Sequence, residues 1–163
     1  CDPLGVKVLP PANLDLEITG MDQVIRSIIE HDGYRSDRPW LFKDAKLTLL
    51  WPVFAKAFPD ARWVIVRRDD ESVINSCLNT GFMSQHSGDR DYWKRFVNEY
   101  HSRLAALRQS GATCFDVSTV DLVGGQLNSL QVMVEALGLV YRPGEVRDFI
   151  SPELWHGRSS ADR

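Results

Sequence analysis

Cysteine is scarce in this chain and unpatterned: Cys1, Cys77 and Cys114 stand far apart and form no CxxC. The histidines, His31, His86, His101 and His156, show neither HxxxH nor HExxH spacing. No metal is therefore expected, and the dispersed thiols fit a reducing compartment. Long apolar runs are missing too. None approaches the ~20 residues needed to cross a bilayer, and no signal peptide is visible, so the expected location is cytoplasmic, without a membrane span. Positive charge is not in excess, with 19 Lys and Arg against 22 Asp and Glu and a net charge of −3. A nucleic-acid partner, which would rest on many Lys or Arg contacts to phosphate, is not expected. Room remains for one local basic pocket. Internal repeats and low-complexity segments are absent as well.

What is present suits one domain with a real core: 163 residues, 44% hydrophobic and 25% charged. Residues 1 to 18, with Pro3, Pro10 and Pro11, read as loop. Opening on Cys1 and a proline-rich stretch, the chain resembles the middle of a protein more than its start. Met21, Val24, Ile25, Ile28 and Ile29 then fall at helical spacing, with Gly33 as a stop. "RPWLFKD" reads as a short buried strand ending at Lys43 and Asp44. "KLTLLWPVFAKAF" reads as a helix in which Pro52 predicts a kink or an early first turn. "RWVIVRR" is the clearest strand, continuous in its apolar core as though covered on both faces.

Next comes the helix "DESVINSCLNT", a polar loop "GFMSQHSGDRD", and the longest helix, "DYWKRFVNEYHSRLAALRQSG". Trp93, Phe96, Tyr100 and Leu104 form its core stripe. "ATCFDVS" is a third strand, followed by a helix over "LNSLQVMVEALGL" and a short one over "PGEVRDFI". Alternating strands and helices predict an α/β fold with three layers, a mostly parallel sheet carrying helices on both faces. Ligands bind such sheets beyond the carboxyl ends of the strands, where Lys43, Asp44, Arg67 and Arg68 fall.

Two arginines at a buried strand end need a partner, because an unpaired buried charge is costly. A strand-to-helix turn offers backbone N–H groups and a positive helix end to a phosphate. Arg68 precedes that turn, and Ser72 and Ser76 share one helix face. Arg68 and Ser76 could thus grip one phosphate. Alternatively, Arg67 and Arg68 pair with Asp69, Asp70, Glu71 or Asp60, and Ser76 is an ordinary helix serine. The acids favour the helix dipole but would repel an anion.

The stretch "KDAKLTLLWPVFAKAFPDARWVIVRRDDESVINSCLNTGF" resembles the sulfotransferase family that uses 3′-phosphoadenosine-5′-phosphosulfate, and within it the bacterial branch. That branch carries Lys-Asp-Pro-Arg-Leu, a helix, Phe-Pro-Asp-Ala, a strand ending in Arg, and a Val-x-x-Ser helix. Arg68 and Ser76 match the family's arginine and serine, eight residues apart. The segment "LNSLQVMVEALGLVYRPGEVRDFISPEL" is similar to the family's late helix and the element after it. The likeness covers residues 39 to 81 well and 112 to 155 loosely. Ala45-Lys46 stands where the branch has Pro-Arg, and Asp70 where relatives usually have proline.

The resemblance implies a P-loop-like fold and sulfuryl transfer from that donor, as co-substrate, to a hydroxyl or amine of a small-molecule or glycan acceptor. It implies Arg68 and Ser76 at the donor's 3′-phosphate, with Arg158 of the tail as a further basic residue for it. Lys43 matches a donor-site lysine. Many relatives carry a catalytic histidine two residues after it, where this chain has Ala45. Asp44 is then the candidate base or a helix cap, and His86 in the polar loop is another candidate. The family's Gly-rich loop with Lys and Ser or Thr is not seen, so a single domain over residues 1 to 163 is expected to lack its N-terminal strand and loop. Rival readings are a non-catalytic nucleotide-binding module and a small-molecule kinase of the P-loop class, which would need a Walker-type loop and a Mg²⁺-binding aspartate.

Overall fold

The computed structural model describes residues 20–35 and 37–150. The loop read over residues 1 to 18 and the tail with Arg158 lie outside them. In chain order the elements are α1 (Met21–His31), α2 (Leu47–Ala57), β1 (Trp63–Arg67), α3 (Asp70–Asn79), α4 (Gly81–Ser84) and α5 (Arg90–Gln109). After these come β2 (Cys114–Ser118), α6 (Thr119–Val123), α7 (Asn128–Ala136) and α8 (Pro143–Phe149).

Among the described residues the sheet has two strands, β1 and β2, paired in parallel with Ile65 opposite Asp116 and Arg67 opposite Ser118. Both strands therefore end on one rim, and α3 and α6 leave from it. Parallel pairing requires a long crossover, which α3, α4 and α5 supply. The α/β class is as expected from the sequence, but one expected strand is not. Residues 39–44, read as a strand, carry no strand pairing. Extended alternation there turns Trp40 and Phe42 toward other aromatics instead. Their rings are parallel with centroids 5.8 Å apart, and Phe42 stacks on Phe54 of α2 at 5.5 Å. Leu41, on the opposite side, is 83% exposed. Packing on α2 satisfies the apolar side chains without a neighbouring strand.

β1 also differs from its reading as a strand covered on both faces. Ile65 is buried, while Val66 is 65% exposed. The apolar run is continuous, but among the described residues its second face is open at Val66.

The helices follow their apolar periodicity. Ile25 and Ile29 of α1 pack against Val53 and Ala57 of α2. Ile74 and Cys77 of α3 meet Trp93, Phe96 and Val97 of α5, which makes the α5 aromatic stripe core, as its spacing predicts. Leu49 and Leu50 of α2 reach Tyr100. α2 runs through Pro52, whose missing N–H leaves the Thr48 carbonyl without its usual helical donor. The loop expected at residues 81 to 91 contains the short α4, and the fully buried Trp93 donates its indole N–H to the Ser87 carbonyl at 2.9 Å. α5 ends where Gly111 takes φ +86°, the left-handed conformation that glycine adopts without a Cβ penalty.

Candidate functional site

The rim where β1 and β2 end holds the arginine pair, and the two arginines are treated differently. Arg67 continues β1, and its Nε donates to Asp116 Oδ1 at 2.6 Å. The Arg108 guanidinium of α5 donates to the other oxygen of the same carboxylate. Burial raises the pKa of Asp116, but hydrogen bonds from Arg67 and Arg108 outweigh it and leave the carboxyl below its ordinary value. The Arg67 carbonyl is held as well, accepting from Thr119 Oγ1 at 2.9 Å. Arg67 thus has a structural partner, though none of the acids suggested by sequence proximity. Arg68, half-buried, is the next residue and leads into α3.

The three acids at the start of α3 are each engaged. Asp69 is the N-cap and accepts the Ser72 backbone N–H at 2.8 Å. Hydrogen bonds from Ser72 hold its carboxyl below the ordinary value, with the nearby Arg68 charge adding to the effect. Asp70 lies 2.8 Å from His101 Nε2. Glu71 takes the Arg90 guanidinium, which also donates to Asn75 Oδ1 at 2.9 Å. Two of the three carboxylates are drawn to a cation or imidazole on α5, which reduces their repulsion of an anion, while Asp69 keeps its charge at the helix start.

Ser76 lies about 9 Å along α3 from Asp70 by the helical rise of 1.5 Å per residue, and it is exposed. Its carbonyl accepts from the Thr80 backbone N–H and hydroxyl. Arg68 and Ser76 therefore belong to one strand–turn–helix unit. Lys43 and Asp44 are exposed on a separate segment ahead of α2. Asp44 Oδ1 accepts the Lys46 backbone N–H at 2.6 Å, a local turn at the entry to α2. His86 follows α4, beyond the C-terminal end of α3, with its ring edge-on to Phe82 at 5.4 Å. Arg158 lies outside the described residues.

Asp116, Thr119, Arg90, Arg108 and His101 were not marked out by the sequence reading. Only Asp116 carried a signal, a charge in the middle of the apolar strand "CFDVS". The rest depend on contacts between residues distant in the chain. Among the described residues no group of three His, Cys, Asp or Glu side chains could hold a metal ion, and no helix is long and apolar enough to cross a membrane.

A guanidinium at a strand end and a hydroxyl on the helix that follows are donor types suited to a phosphate, while the Ser72 N–H at the helix start is taken by Asp69. In agreement, the model of a family described as the sulfotransferase family matches residues 12–143. No curated protein and no solved structure matches the chain.

Proposed function

This chain belongs to the sulfotransferase family, and from that premise we propose that it transfers a sulfuryl group from 3′-phosphoadenosine-5′-phosphosulfate to an acceptor hydroxyl or amine. The observation that carries the reading is the β1–α3 unit, with Arg68 at the strand end, Ser76 on the helix and the intervening acids engaged by Ser72, His101 and Arg90. In this proposal Arg68 donates to the 3′-phosphate and Ser76 supplies a hydroxyl to it. Arg158 is a further candidate for that phosphate.

Lys43 is assigned to the other end of the donor, where its ammonium would stabilise charge on the oxygen that sulfur leaves. Asp44, whose second carboxylate oxygen is not used by the Lys46 turn, is the first candidate to accept the acceptor's proton, and His86 the second. The sulfur–oxygen bond to the donor phosphate breaks while a bond from sulfur to the acceptor oxygen or nitrogen forms. 3′,5′-Bisphosphoadenosine departs. The three-layer, P-loop-like arrangement and a cytoplasmic setting belong to the same proposal.

Calorimetric titration with 3′,5′-bisphosphoadenosine tests the donor site. Micromolar binding is expected, lost with AMP, which lacks the 3′-phosphate, and lost in Arg68→Ala. Equal affinity for AMP and the bisphosphate would overturn the reading.

A further inference from the structure

Residue 67 is held at both ends. Its side chain is bound by Asp116, itself shared with Arg108, and its carbonyl oxygen is bound by the Thr119 hydroxyl at 2.9 Å. That carbonyl belongs to the peptide unit that carries the Arg68 nitrogen. Because the unit is planar, fixing the Arg67 oxygen fixes the direction in which the Arg68 Cα leaves the strand. Successive strand side chains point to opposite sides. Holding Arg67 on the Asp116 side therefore directs Arg68 away from it. Both holding residues come from the neighbouring strand and its exit: Asp116 lies within β2, and half-buried Thr119 is the first residue of α6.

We propose that Thr119 and Asp116 are positioning residues for the 3′-phosphate arginine, clamping the carbonyl and side chain of Arg67 so that Arg68 is preset toward the donor. This rests on the donor-site reading above. Neither residue needs to touch the nucleotide. Their effect is preorganisation: a donor held in its bound direction loses less freedom when the phosphate arrives.

The test is titration of the whole chain with 3′,5′-bisphosphoadenosine, with folding of each variant followed by circular dichroism. Thr119→Val removes the hydroxyl and is expected to weaken binding about tenfold, and Thr119→Ser to restore affinity to within about twofold. Asp116→Asn, a second and independent variant, is expected to weaken it in the same direction. In the Arg68→Ala background, where the beneficiary is gone, Thr119→Val is expected to add nothing. The residual affinity in that background is read with 3′,5′-bisphosphoadenosine at millimolar concentrations.

Undiminished affinity in folded Thr119→Val overturns the clamp while leaving the donor site intact. An equal further loss on the Arg68→Ala background also overturns it, because the effect would then be general. Absence of binding by the unsubstituted chain would overturn the donor-site reading and this inference with it.

Discussion

His101 Nε2 lies 2.8 Å from Asp70 Oδ1, joining the middle of α5 to the first turn of α3. The same two helices share the buried Ile74, Cys77, Trp93 and Phe96, and Arg90 adds a second polar tie to Glu71. Packing supplies the adhesion between them. The polar ties settle which way the acids face.

That division gives a first expectation. Both partners of the Asp70–His101 pair are about half exposed, and pairs of this kind contribute at most about 1 kcal/mol. His101→Ala should therefore lower the unfolding free energy from urea titration by no more than that. Trp93→Ala, which empties a fully buried site, should cost about 3–5 kcal/mol.

Acid should weaken the fold through Asp69 and Asp116. Both carboxyls are held below their ordinary 3.8. A carboxyl with a depressed folded pKa contributes stability above its unfolded pKa and loses it as pH falls through the folded one. Unfolding free energy, followed by urea titration, should decline below about pH 4. In Asp69→Asn, which retains a capping oxygen but not the charge, the decline should be shallower.

At the other end of the scale stands Tyr100. Burial pushes its phenol up to about 12, and its hydroxyl is buried without a hydrogen-bond partner among the described residues. A raised folded pKa means stability is intact below the unfolded value of about 10 and falls as pH rises toward 12. Tyr100→Phe should abolish this alkaline loss. It should also raise stability at neutral pH by about 1 kcal/mol, since an unsatisfied polar group is removed.

Asp44 has a structural and a chemical assignment that one substitution separates. Asn can still accept the Lys46 N–H but cannot take a proton. Asp44→Asn should change stability by less than about 0.5 kcal/mol and slow sulfuryl transfer about a hundredfold. An unchanged rate would leave Asp44 with the turn alone and move attention to His86.

Much of the scaffold was legible in the sequence because local signals and tertiary demands agree. In β1 the run Trp63 to Arg67 is β-prone and half buried, and in α5 the spacing of Trp93, Phe96 and Tyr100 matches the face that packs. Segment 39–44 shows where such signals fail. Its Trp, Leu and Phe fit a strand, but strand formation needs an adjacent edge, and Tyr34, Phe54 and Phe58 offered an aromatic surface instead. At the candidate site, Arg68 and Ser76 could be linked from the sequence because one strand–helix unit holds both. The Arg67–Asp116 bond was not, since 49 residues separate its partners. Proximity in sequence pointed to Asp60, Asp69, Asp70 and Glu71; Asp69 does feel the Arg68 charge, whereas Asp70 and Glu71 are engaged by His101 and Arg90.

The parallel pairing of residues 63–67 with 114–118 also bears on how the chain comes to fold. Nothing local can bring these strands together. The loop to be closed spans three helices, and its entropy must be met before any ladder bond forms. Helical circular dichroism should therefore develop ahead of the contact between Thr119 and Arg67 during refolding. If the proposed donor site is right, nucleotide binding would require the closed crossover, so that ligand-induced protection reports completed molecules rather than partly assembled ones.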